Sequence, residues 1–141
     1  VDDEDFGWLM QYYWWFDGNY AVREKMINRK KRKIYLHRQL MNFPKNKLID
    51  HKNLNKLDDQ RKNLRTCNKS QSEANAPKPK NNTSGYKGVC FDKSRNKWIT
   101  NIRANGKNKY LGRFNNIKEA AKVYNKAAKK YFKEFAFLNQ L

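Results

Sequence analysis

From Ile117 onward apolar side chains recur at helical spacing: Ile117, Ala120, Ala121, Tyr124, Ala128 and Tyr131 fall on one face, and Lys118, Lys122, Lys126, Lys129 and Lys133 fall away from it. The spacing predicts an amphipathic helix whose alanines let it lie close against a partner surface. Just upstream the period shortens to two. Over residues 97–103, Lys97, Ile99, Asn101 and Arg103 alternate with Trp98, Thr100 and Ile102, so the second set faces the helix and the first faces outward. Strand-like runs at 86–91 and 107–114 flank it, and the Asn105-Gly106 step between the last two is a strong hairpin signal. The pattern predicts three antiparallel strands covered by one helix.

Residues 74–85 lack large apolar side chains and are rich in Pro and Asn, a composition suited to neither a helix interior nor a strand. Upstream of them, 20–26 and 33–36 flank the polar segment 28–32 as a hairpin, and 37–41 reads as a short helix stopped before Pro44. Residues 47–49 form a strand, 52–59 a polar loop, 63–67 a second extended piece and 68–75 a short helix. The aromatic cluster Trp8, Tyr12, Tyr13, Trp14, Trp15 and Phe16 reads as the core of a small domain, with stacking on unpaired bases as its alternative. The expected division is a first module over 1–76, a basic linker over 77–84 and a second module over 85–141, an α+β chain overall.

Charge narrows the partner. Lys and Arg number 32 against 13 Asp and Glu in 141 residues, a net +19 whose self-repulsion is best offset by a polyanion, and double-stranded DNA is the expected partner. A membrane partner wants a basic amphipathic anchor or a long apolar span, and the densest apolar run, 8–16, is interrupted by Gln11 and too short to cross. No protein partner is evident. Cys67 and Cys90 form no C-x-x-C pair, which indicates neither a zinc site nor a disulfide framework and fits a reducing compartment. The acidic start Val1-Asp-Asp-Glu-Asp is unlike a secretory leader, so an intracellular location is expected.

The Asp50-His51 pair closes the short strand in the first module. A carboxylate there binds a hard cation, while the adjacent His, pointing the other way, serves as a general base. Hydrolysis of a phosphodiester needs both jobs: a base to activate water, and a cation to stabilise the charge on the phosphate and the leaving oxygen. Asn63 on the facing strand is available to hold the second ring nitrogen. In the second module the outward row ends in Arg103, the residue type that bonds guanine edges bidentately.

Two resemblances extend these readings. Tyr86-Lys-Gly-Val, Lys97-Trp98, Ile102-Arg103, Tyr110-Leu-Gly-x-Phe114 and Glu119-Ala-Ala-x-x-Tyr124-x-x-Ala-Ala128 resemble the APETALA/ethylene-response-factor DNA-binding domain. That resemblance implies a sheet that reads the major groove, with contacts at Lys87, Lys97, Asn101, Arg103, Asn108 and Tyr110. Cys90 and Asp92 stand where the plant family carries Arg, so its preferred sequence is not carried over. Tyr35-Leu-His-Arg38, Ile49-Asp-His51, Asn55-Lys-Leu-Asp-Asp59, Lys62-Asn-Leu-Arg65 and Cys67-x-x-Ser-Gln71 are similar to the HNH homing endonucleases. This second resemblance implies a ββα-metal (His-Me finger) module with His51 as general base, Asn63 orienting it, and Asp50 and the residue at position 72 as ligands of one Mg²⁺ or Mn²⁺.

Ser72 stands where that family has His or Asn. It is a weaker donor that leaves the chain slow or inactive unless Asn68 or Asn75 substitutes. His37 is expected to meet the phosphate or the metal, or to make a structural hydrogen bond at the start of its short helix. The leading expectation is therefore a homing-type DNA endonuclease. The alternative is a sequence-specific DNA-binding regulator with a degenerate nuclease module.

Overall fold

The computed structural model describes residues 1–141, which divide into two compact units, Val1–Asn68 and Lys69–Leu141. Both are mixed helix and antiparallel sheet, and no helix is long and apolar enough to cross a membrane.

The first unit opens on helix α1 (Asp3–Leu9), followed by a three-stranded antiparallel sheet of β1 (Trp15–Phe16), β2 (Ala21–Ile27) and β3 (Lys30–Tyr35). Asn28 and Arg29, both at positive φ, make the two-residue β2–β3 turn, whose twist matches that of the flanking strands. Because that turn needs only two residues, β3 begins at Lys30 rather than Lys33. The charged residues expected as a loop are strand instead, exposed along most of their length.

Helix α2 (Leu36–Leu40) follows, then β4 (Leu48–His51) and β5 (Leu64–Cys67), which pair antiparallel with Asp50 opposite Arg65 and His51 opposite Leu64. Leu9, Leu36, Leu40 and Leu64 form the core, with Trp8, Trp14, Ala21, Met41 and Ile49 packed around it. A bidentate ion pair ties α1 to the 3-10 turn Arg61–Asn63: Arg61 Nε and Nη2 donate to the two oxygens of Asp5 at 2.8 and 2.6 Å, and Nη1 donates to Leu40 O.

The aromatic cluster divides against the expectation of a common core. Trp8 and Trp14 pack inward, while Tyr13 is 85% exposed and Phe16 58%. A core built on four leucines has no volume left for six large rings, and β1 is only two residues long, so the later rings lie on the surface.

The second unit begins with α3 (Lys69–Asn75), which packs against helix α4 (Ile117–Phe132) and the 3-10 turn Lys133–Phe135. The helix expected to complete the nuclease module thus belongs by its contacts with the other unit. The boundary falls at Asn68/Lys69, ahead of the Pro-rich stretch, because Ala74 and Asn75 are buried and Ala74 O accepts from Phe137 N at 3.2 Å.

After a segment without helix or strand come β6 (Val89–Asp92), β7 (Lys97–Ala104) and β8 (Lys107–Phe114), an antiparallel sheet in that order. Asn105 and Gly106, both at positive φ, form the β7–β8 turn. Asn116 caps α4 by accepting from Lys118 N and Glu119 N. Ala120 and Ala121, fully buried, let α4 sit against the sheet, and Thr100 Oγ1 donates to Ala120 O at 3.1 Å. The helical face ends on Phe132 rather than Tyr131: Phe132 is buried, whereas the Tyr131 ring lies outside under Lys109 Nζ, 4.6 Å from its centroid.

Candidate nucleic-acid interface and histidine cluster

The face of β6–β8 turned away from α4 carries a mixed row of cationic, amide and aromatic side chains. Register places Asn101 opposite Tyr110, Arg103 opposite Asn108, and Ile99 opposite both Cys90 and Arg113. An irregularity between Thr100 and Asn101 shifts β8 by one residue. Asn108 and Tyr110 thereby share the outer face with Asn101 and Arg103, while Lys109 turns toward α4. Lys97, Arg103, Asn108 and Tyr110 are exposed, Tyr110 by 60%, and Asn101 is half-buried. Five of the six expected contact residues therefore share one surface.

Asp92 at the edge of this surface is the acid among these bases. Hydrogen bonds from Ser94 and from the Arg95 backbone, with the nearby positive charge of Arg113, hold its carboxyl below the usual range. It meets Arg113 at 3.4 Å and so takes one cation out of play.

Lys87 departs from the expectation. Its ammonium turns inward and donates to the carbonyls of Glu73, Ala74 and Ala76 at the C-terminal end of α3, while Asn139 brackets its backbone through Lys87 N and O. Burial pulls the ammonium's pKa down to about 8, and it satisfies carbonyls that a helix end leaves without partners. Lys87 is a helix-capping residue. Lys87→Met is expected to destabilise the second unit by about 1–3 kcal/mol, the cost of leaving the helix-end carbonyls without their charged donor. The same variant should leave the salt dependence of DNA binding unchanged, so parallel thermal melts and binding isotherms separate capping from contact.

In the first unit the Asp50-His51 pair is buried at the end of β4. His51 Nε2 lies 2.8 Å from Asp59 Oδ1, and Asp59 is 2% exposed. Asp59 takes the place at the His51 ring that was expected of Asn63. Asn63 instead clamps the loop that delivers Asp59: its Nδ2 donates to Asn53 Oδ1 and Asp58 O, and its Oδ1 accepts from Asn53 N. The clue in the sequence was the Asp58-Asp59 doublet within the polar loop, to which local pattern assigns no role.

Asp50 is held by Arg65, whose Nε and Nη2 both approach Oδ2 at 2.8 Å. A guanidinium already neutralises the carboxylate that Mg²⁺ or Mn²⁺ would need, and Ser72 lies on α3 in the other compact unit. Paired with Arg65 in this way, the Asp50 carboxylate is not free to hold a divalent ion.

His37, at the start of α2, does not make the structural hydrogen bond expected of it at Nδ1, which is buried without a partner. Its ring packs against Tyr20, Tyr35 and His51 with centroids 4.9, 5.7 and 5.3 Å away. Burial lowers its pKa to about 4, so the imidazole is neutral at physiological pH.

A family model matches the stretch that holds the three-stranded sheet and the capped, alanine-faced helix. Residues 84–134 match the AP2 domain. The AP2 match lies wholly within the second unit and spans all three strands and the whole of α4. Over 65 residues the chain is 40% identical to Protein 3.8 of Escherichia phage T7. The aligned part is 46% of this chain and 54% of that protein, so the chain spans about half the length of the curated relative. No solved structure matches the chain significantly.

Proposed function

We propose that this chain is a duplex-DNA-binding protein that reads the major groove with the outer face of its AP2 domain. The observation that carries the reading is the single surface formed by Lys97, Asn101, Arg103, Asn108 and Tyr110 on the side of the sheet opposite α4. An antiparallel face of this kind fits a major groove, where amide and guanidinium groups distinguish base edges. The net charge of +19 supplies the sequence-independent attraction on which such readout rests.

Fluorescence anisotropy of the full chain with a labelled duplex tests it. The log of affinity is expected to fall with log salt at a slope of about −0.9 per phosphate neutralised, with duplex preferred to double-stranded RNA, whose narrow major groove excludes a sheet. A flat salt response, or equal affinity for both duplexes, would sink the reading.

A second reading, nuclease action by the first unit, is favoured by the buried His51–Asp59 pair. A carboxylate on one imidazole nitrogen fixes the tautomer and the ring's orientation, as a water-activating base requires. Nicking of supercoiled plasmid by the wild-type chain, abolished in His51→Ala with DNA affinity intact, is its expected signature.

A further inference from the structure

We propose that His37, His51 and Asp59 form a binding site for a borderline divalent transition ion of the Zn²⁺ class. One nitrogen from each imidazole and a carboxylate oxygen of Asp59 lie within 4.8 Å of one another, and all three residues are buried. His37 is 7% exposed and its Nδ1 has no hydrogen-bond partner, an arrangement that is costly in an interior unless something else satisfies it.

The donor set selects the ion. Two imidazoles and one carboxylate suit Zn²⁺, Co²⁺ or Ni²⁺, whereas Mg²⁺ and Ca²⁺ prefer all-oxygen shells. Bonds of about 2.0–2.2 Å at tetrahedral angles need donor atoms roughly 3.4 Å apart, so the His37 nitrogen has to close in by up to about 1.4 Å while the 2.8 Å His51–Asp59 contact opens slightly. Rotation of the His37 ring, tethered by no hydrogen bond at Nδ1, supplies that movement. Binding exchanges the proton shared between His51 Nε2 and Asp59 for the metal.

Three elements bring the ligands together: α2 carries His37, β4 ends in His51, and the loop clamped by Asn63 presents Asp59. The rings of Tyr20 and Tyr35 wall the site beside His37, which limits competition from water. Three protein ligands leave one position open, as in sites where the ion meets an exogenous oxygen. No cysteine takes part, and the missing C-x-x-C pattern is therefore silent about this site. The proposal stands apart from the DNA-binding reading, which concerns the second unit, and it competes with the nuclease reading for His51 and Asp59.

Co²⁺ titration of the chelator-stripped full chain tests it by two readouts. The chain has 2 histidines, and the ring-proton resonances of both are expected to broaden or shift together as one equivalent of Co²⁺ binds, with Zn²⁺ displacing it and Mg²⁺ not. His37→Gln is expected to weaken Co²⁺ binding by at least about tenfold, the smaller of the effects seen even for residues behind a ligand. Survival of either histidine signal at saturating Co²⁺ overturns the site, as does unchanged affinity in a folded His37→Gln. If that variant does not fold, the wild-type resonances decide alone.

Discussion

Gly88→Ala is expected to cost the second unit about 2–5 kcal/mol, combining a side chain forced into the left-handed region with overpacking. Gly88 sits at φ +75, and a Cβ there would lie 2.2 Å from Cδ2 and Cε2 of Tyr124 and 2.7 Å from Asn101 O. Neither neighbour has room to move. Tyr124 is buried at 4% exposure on α4, and Asn101 N donates to Gly88 O at 2.9 Å, so helix and sheet pinch the chain from both sides. Against a typical total of about 5–15 kcal/mol, and less for a unit this small, the loss removes much of the folded population at physiological temperature, and DNA binding with it. Gly106 provides the control: it also has φ +75, but nothing lies within 4 Å of the position its added methyl group would take, so Gly106→Ala bears the backbone cost alone. Thermal melts followed by circular dichroism compare the two. Coincident melting of the variants would refute the pinch.

Arg103→Ala is expected to weaken binding to a preferred duplex by about 1–3 kcal/mol, the worth of a bidentate contact to a base edge, while changing non-specific binding far less. Arg103 is exposed on the outer face beside the tight β7–β8 turn, opposite Asn108, in a rigid ladder that leaves its guanidinium ready to enter a groove. A phosphate contact at the same position would lower specific and non-specific affinity alike and reduce the salt slope by about one. Binding isotherms on a selected site and on an unrelated duplex, each over a salt series, separate these outcomes. Equal losses on both duplexes would assign Arg103 to the backbone and shift base readout to Asn101, Asn108 and Tyr110.

Local periodicity by itself determined the second unit's architecture. Alternation over 97–103 placed Trp98, Thr100 and Ile102 under the helix, Asn105-Gly106 marked the turn, and the alanines of α4 marked its buried face. Such signals survive in sequence because they depend on neighbours two to four residues away, whose geometry is set by the backbone. The outer row could be read for the same reason, with Lys97, Asn101 and Arg103 following from one strand's alternation.

Tertiary structure decided the pairings that join distant segments. Lys87 reaches the carbonyls of Glu73, Ala74 and Ala76, His51 meets Asp59 across a loop, Arg65 neutralises Asp50, and α3 packs with α4. A lysine's long stem serves a phosphate or a helix end equally well, and a carboxylate serves a cation or a guanidinium, so residue type leaves the partner open. The exposed aromatics show the same limit: whether a ring is core or surface depends on how much volume the leucines of α1, α2 and β5 have already filled, a quantity set by the packed unit as a whole.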